Sequence, residues 1–236
     1  MRKLLILAIV LLAPFGARAA SFQVNPIRVT LSAAQATNVL RVTNASDTPT
    51  VVQLEIVAWS QVNNADVYTP SRKLLATPPI FTVGPGSQQV VRLGMRSTPD
   101  AKQEICYRLF LSEVPPAPRP GFRGVQIALR VGISVFVEPA VATAPILKWS
   151  ARRLSATELE VSVLNNGTAH AEILKLRVNA PDQSAPLLQE FGGYVLPGAQ
   201  RAWTFKLATP LAAKAPLEIS AETDQGSFHA QVIPGA

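Results

Sequence analysis

The chain has 236 residues, 48% hydrophobic and only 16% charged, so it can bury a substantial core and is not a disordered charged chain. Its 20 prolines tell against a helical bundle or coiled coil, and its single Cys excludes an internal disulfide. Two His and one Cys are too few for the usual zinc site, and the formal charge of +7 is spread without a run of four basic residues, so nucleic-acid binding has no support.

Residues 1–19 read as a secretory signal peptide. Arg2 and Lys3 start it, residues 4–13 are unbroken apolar, Pro14 and Gly16 end the run, and Ala17-Arg18-Ala19 supplies small residues for cleavage. The apolar run is too short to span a bilayer, and no later stretch is long enough, so no stable membrane insertion is expected. Cleavage removes Arg2, Lys3 and Arg18 and lowers the formal charge by three.

The remaining chain reads as short strands between Pro, Gly and Asn turns. Residues 22–31 alternate in part and carry Pro26, which suits an edge strand. Residues 36–44 and 51–59 alternate well and are separated by a turn at 45–49. Residues 75–83 lead into the turn Gly84-Pro-Gly86, and 87–93 form the next strand. Residues 104–114 follow, ending at Pro115-Pro116, with Cys106 read as a small buried hydrophobe; 125–137 is the longest strand candidate. Turns about every 8–12 residues indicate an immunoglobulin-like sandwich over 20–139. Residues 140–145 read as a linker. A second strand set over 146–236 covers 147–154, 158–165, 171–178, 201–207, 217–223 and 227–233, with turns at Asn165-Asn-Gly167, Leu196-Pro-Gly198 and Asp224-Gln-Gly226. The expected fold is all-β: two tandem immunoglobulin-like β-sandwich domains with a cleft between them.

Enzyme signatures are missing. The sequence has no Gly-rich phosphate loop, no G-x-S-x-G and no H-E-x-x-H, and its carboxylates are scattered. Neither a catalytic residue, a metal nor a cofactor is expected. The informative stretch is 125–131, where Val125, Ile127, Leu129 and Val131 alternate with Gln126, Ala128 and Arg130. That apolar face either fills the domain's own core or stands exposed, ready to enter another protein's groove by strand addition. Pattern alone does not choose.

The first domain resembles the periplasmic pilus-assembly chaperones, the PapD-like family. The resemblance is carried in order by Val24-Asn-Pro-Ile-Arg28-Val, Asn38-Val-Leu-Arg-Val-Thr-Asn44, Ala76-Thr-Pro-Pro-Ile80 with Val83-Gly-Pro-Gly-Ser87 and Val91-Arg-Leu93, Tyr107-Arg-Leu-Phe-Leu-Ser-Glu-Val-Pro-Pro116, and Val125-Gln-Ile-Ala-Leu129. It implies a periplasmic chaperone that folds and caps fimbrial subunits by lending them a strand, then delivers them to an outer-membrane usher. On that reading Val125, Ile127, Leu129 and Val131 are the donor strand, and Arg28 grips the subunit's C-terminal carboxylate through its planar guanidinium. The family's cleft lysine aligns with Ser134, which can donate one hydrogen bond but carries no charge, so either the carboxylate leans on Arg28 alone or another cation replaces the lysine, with Arg92, Arg108 and Arg130 as candidates. The Gly-Ile-Ser-Val-Phe-Val stretch at 132–137 is similar to the divergent branch serving spore-coat-U-like pili. Glu138 stands where many relatives have a basic residue, and is expected to form an interdomain ion pair or to be solvated.

Two other classes compete. A pilus subunit or adhesin would commonly be one domain with a disulfide. A carbohydrate-binding sandwich would need exposed aromatics, for which only Trp59, Trp149 and Trp203 are available among the tryptophans.

Overall fold

The computed structural model describes residues 22–97, 102–118, 120–121, 123–181, 183–212 and 215–235; the signal-peptide segment lies outside them. The described residues form strands, with no helix.

The stretch read as one edge strand over 22–31 is two strands in two sheets. β1 (Phe22–Asn25) pairs antiparallel with β3 (Thr37–Asn44), whereas β2 (Arg28–Leu31) pairs parallel with β10 (Arg130–Val137). Pro26 offers no N–H to a ladder, and the chain changes sheets there. The first sheet has the order β1-β3-β8-β6, where β6 is Leu74–Thr77 and β8 is Gln88–Met95. The second has the order β2-β10-β9-β4-β5, where β4 is Thr50–Val62, β5 is Ala65–Pro70 and β9 is Ile105–Glu113. A further strand, β7 (Ile80–Val83), pairs with the start of β4.

Period-two alternation sorts β10 into two faces. Ile133, Val135 and Val137 are buried in the first core with Leu109 and Leu111 of β9, Val91 and Leu93 of β8, and Leu40 and Val42 of β3. Each such side chain contributes about 1.5–3 kcal/mol when fully buried. Arg130, Gly132, Ser134 and Phe136 face the other way, away from that core. The predicted 125–137 strand is shorter than its pattern: the ladder begins at Arg130, Leu129 reaches only Glu113 at the end of β9, and 125–128 pair with no strand among the described residues.

The second core belongs to another pair of sheets. One has the order β11-β12-β15, made of β11 (Leu147–Ser155), β12 (Glu158–Asn165) and β15 (Gln200–Lys206). The other has the order β14-β13-β16-β17, made of β13 (Ala171–Asn179), β14 (Leu187–Val195), β16 (Leu217–Thr223) and β17 (Gly226–Val232). Leu159, Val161, Ile173, Leu176, Val195 and Leu217 are fully buried between them. β14 escaped the sequence reading because Phe191-Gly-Gly193 breaks the alternation. It is a bulge, with Phe191 and Gly193 at φ 54° and 82° and a register shift between Ile173 and Lys175 opposite.

The join between the two halves is tightly seated. Thr168 donates its N–H to the Ala144 carbonyl at 2.9 Å, and buried Asn165 accepts from the Ile146 N–H at 3.1 Å. A Cβ on Gly167 would lie 2.3 Å from the Ala144 carbonyl oxygen, so the crossing chain occupies the space a side chain would need.

Candidate functional site

Three adjacent strands bring Arg28, Ser134 and Arg108 into one row. In the register, Ser134 of β10 stands level with Arg28 of β2 on one side and with Arg108 of β9 on the other. All three lie on the face of the sheet turned away from the first core. The second half of the chain covers part of this face, through a small apolar cluster of Trp59, Cys106, Phe136, Leu196 and Ala199 with Tyr194 packed against it. The cluster explains why outward-facing Ser134 and Phe136 are buried at 2% and 0% exposure.

The two arginines of the row have different surroundings. Arg108 donates from Nη1 to the Ser134 hydroxyl at 2.7 Å, and its guanidinium lies 3.9 Å over the Trp59 ring. Among the described residues it has no carboxylate partner. Arg28 donates from Nη1 to Asp224 Oδ2 at 2.5 Å and to Glu172 Oε2 at 3.3 Å. Burial disfavours the Arg28 charge, but the bond to Asp224 and the fields of Tyr194, Asp224 and Glu172 outweigh it and raise its pKa above the ordinary value.

Asp224 organises the domain junction. It sits in the turn between β16 and β17, and its Oδ1 accepts the Glu172 N–H at 2.9 Å. Burial would raise its pKa, yet His170, the Glu172 N–H and Arg28 together pull it down to about 2. His170 lies between the halves of the chain, with its Nδ1 2.7 Å from Glu104 Oε1 and its Nε2 3.5 Å from Asp224 Oδ2. Its ring stacks on Phe136, with centroids 3.6 Å apart and planes 7° from parallel. Burial opposes its charge, but Asp224 and Glu104 prevail and raise its pKa. Glu104 also accepts from the Cys106 thiol at 3.5 Å, and burial drives that thiol's pKa far up, so Cys106 is an inert core group rather than a nucleophile.

A second clasp joins the halves through the tip of the β4–β5 hairpin, where Asn63 and Asn64 take positive φ. Asn64 exchanges two 3.0 Å hydrogen bonds with the backbone of Ala202. Arg201 donates to the Asn64 carbonyl at 2.7 Å and to Asp66 Oδ1 at 2.5 Å. Gln61 accepts from the Leu196 N–H and donates to the Tyr194 carbonyl, each at 3.0 Å.

The other candidates fall elsewhere. Arg92 is exposed on β8 in the opposite sheet, level with Val39 and Thr77, and is not part of the row. Arg130 shares the face of the row but pairs with Glu55 at 3.2 Å and lies 4.0 Å over the Phe110 ring. Glu138 is exposed and makes no ion pair among the described residues, so the expected alternative of a solvated carboxylate is the one observed. Trp59 and Trp149 are buried and Trp203 stacks on Trp149, so the tryptophans offer no exposed sugar platform.

Val125 and Ile127 are 86% and 84% exposed, in a segment outside every ladder. Leu129 and Val131 are partly buried against the first core, and Leu129 exchanges hydrogen bonds with Glu113. The apolar face is therefore anchored at its C-terminal end and, among the described residues, unpartnered at the other. The sequence reading did not single out Glu104, His170, Glu172, Tyr194 or Asp224; the scarcity of His was the available signal for His170.

The family model for the pili and flagellar-assembly chaperones, PapD N-terminal domain, matches residues 21–142, just over half of the chain. The chain belongs to this chaperone family. A curated relative, the chaperone protein FimB/FhaD of Bordetella pertussis, is 28% identical over 137 residues, covering 54% of each chain. The family member described here thus spans about half the length of that relative. Solved structures extend the likeness in fold over both halves. The chaperone–tip subunit complex CsuC-CsuE of archaic Csu pili from Acinetobacter baumannii matches with TM-score 0.68 and 21% identity, covering 92% of this chain and 100% of that one. The Salmonella enterica SafB chaperone complex with SafA pilin matches with TM-score 0.61 and 18% identity, covering 89% and 95%. The Escherichia coli chaperone DraB matches with TM-score 0.60 and 20% identity, covering 90% and 96%.

Proposed function

We propose that this family member is a periplasmic chaperone that folds and caps pilus subunits by donor-strand complementation and hands them to an outer-membrane usher. Residues 1–19 are the cleaved export signal, 20–139 and 146–236 are the two domains, and 140–145 link them. The observation that carries the reading is the exposure of Val125 and Ile127 in a segment that already runs into β10. A subunit lacking its last strand supplies the missing partner: main-chain hydrogen bonds extend the ladder upstream of Arg130, and the alternate side chains fill the subunit's groove. The protein acts by binding, without a bond-making step.

The row Arg28–Ser134–Arg108 is the anchor for the subunit's terminal carboxylate. Arg108 supplies the cation that a lysine at position 134 would have brought, and Ser134 holds that guanidinium in place. Arg28 joins it by exchanging part of its internal pairing for the incoming anion. Both guanidiniums can present two donors to a carboxylate, which suits a terminus whose position must be fixed in register.

Hydrogen exchange tests this reading. The amides of 125–128 should exchange rapidly in the free protein, unlike that of Leu129, which is bonded to Glu113, and become protected when it is co-expressed with a pilus subunit. Capture of that subunit with no change at 125–128 would refute strand donation.

A further inference from the structure

His170 is the buried titratable group that strand donation and the arginine row leave unused. It is 6% exposed and lies at the meeting point of both halves of the chain. One oxygen, Asp224 Oδ2, is shared: it lies 2.5 Å from Arg28 Nη1 and 3.5 Å from His170 Nε2. That ring nitrogen is buried and has no hydrogen-bond partner closer than this contact. The opposite nitrogen already meets Glu104 at 2.7 Å.

The groups around the imidazole come from each element packed near it. Glu104 and Cys106 approach from the start of β9, and Asp224 from the β16–β17 turn. Glu172 of β13 and Arg28 of β2 complete the charged set through Asp224. From β14 the Tyr194 ring stands 5.5 Å away, and Phe136 of β10 covers one face. With a neutral imidazole, the three carboxylates Glu104, Glu172 and Asp224 outnumber the two guanidiniums of the row, Arg28, which pairs with two of them, and Arg108, which lies beyond Ser134. Bringing a fourth carboxylate to Arg28 would then deepen a negative excess in a partly desolvated place. An imidazolium removes one unit of that excess and gives Asp224 a second cation.

We propose that His170 is a positioning residue that couples a proton to anion capture: its imidazolium takes up the charge of Asp224, leaving Arg28 available for a terminal carboxylate. The inference rests on the reading of Arg28 as a carboxylate anchor. It requires reciprocity, because if a proton on His170 favours the anion, the anion must favour the proton by the same factor. The site already favours the imidazolium, since Asp224 and Glu104 outweigh its burial.

The sequence contains two histidines, and the second, His229, is exposed on β17. The test follows both imidazole signals by NMR through a pH titration of the whole mature protein, with acetate as the minimal carboxylate and chloride at equal ionic strength as control. His170 should titrate above the ordinary imidazole value in chloride. Near saturation, acetate should move the His170 midpoint upward by about 0.7 pH unit, a roughly fivefold coupling. A His170 midpoint unmoved by acetate, or one at or below the ordinary imidazole value in chloride, would overturn the proposal. Arg28→Ala should abolish the acetate shift, and Arg28→Lys should restore part of it should the alanine variant lose its fold. A shift that survives Arg28→Ala but disappears in Arg108→Ala would retire Arg28 as the anchor while leaving His170 linked to the anion. Subunit capture, measured separately, tests strand donation whatever the acetate result.

Discussion

Ser134 and Arg108 face each other across β10 and β9, and the arginine donates to the serine hydroxyl at 2.7 Å. A buried residue of 2% exposure, set between two guanidinium-bearing neighbours, has no room for a further cation. Ser134→Lys therefore does not simply restore a lost lysine. Overpacking and like-charge repulsion should destabilise the first domain by at least about 2 kcal/mol. Thermal unfolding of the free variant checks this; an unchanged midpoint would show that the row tolerates three cations.

Ile127→Asp separates the two meanings of the apolar alternation. At 84% exposure the side chain touches too little for its loss to matter, so stability should change by no more than about 0.5 kcal/mol. Subunit capture should fail, because a carboxylate in an apolar groove must be desolvated without a partner. Matching midpoints for variant and parent, together with loss of co-purified subunit, is the expected outcome. A large fall in midpoint would return Ile127 to the core.

The limits of the sequence reading follow from how strand patterns encode information. Alternation reports that a face is apolar, not what covers it, so Val125 and Ile127 look the same as Ile133 and Val135 until the ladder is seen to begin at Arg130. Both sandwiches were legible because most of their inner faces are continuous, while β14 was not, because its bulge places Phe191, Gly192 and Gly193 out of period. The latch was hidden for another reason. Glu104, His170 and Asp224 are far apart in sequence and meet only through the docking of one half on the other. No local spacing records such a contact.

The latch gives stability a pH signature. The His170 pKa is raised in the folded protein, so its contribution is fully present below the unfolded value near ~6.5 and is lost as pH rises through the folded value. Asp224 is lowered to about 2, so its contribution is present above the unfolded carboxylate value near ~3.9 and is lost as pH falls toward about 2. The unfolding midpoint should fall on both sides of a mildly acidic plateau. His170→Asn should flatten the alkaline side in particular; an unchanged alkaline slope would show that other groups set it.

Arg201→Ala tests the other clasp. The side chain is largely buried and ties β15 to the β4–β5 hairpin through the Asn64 carbonyl and Asp66. Losing a charged hydrogen-bonding group of this kind costs about 1.5–3 kcal/mol, and the cost falls on the contact between the two halves rather than on either core. Calorimetry should therefore show one transition in the parent resolving toward two in the variant, since each half keeps its own hydrophobic cluster. A single transition displaced to lower temperature would mean that the halves stay coupled through the His170 latch and the Trp59–Phe136 cluster without the hairpin.

Gly167→Ala probes the seat of the linker. The new methyl carbon would lie 2.3 Å from the Ala144 carbonyl oxygen and 2.4 Å from the Ile146 nitrogen, both of them backbone atoms that no side-chain rotation can move. The crossing chain must lift, which breaks the bonds from the Thr168 and Ala169 N–H groups to Ala144 and from Ile146 to Asn165. Each buried polar group left unpaired costs about 1–3 kcal/mol, so the second domain should lose several kcal/mol. Because Glu104 accepts at the His170 backbone N–H and donates its own N–H to the Thr168 carbonyl, the disturbance should reach the latch as well. The His170 signal should then move toward that of exposed His229, whereas a comparable loss of stability with His170 unmoved would confine the damage to the linker.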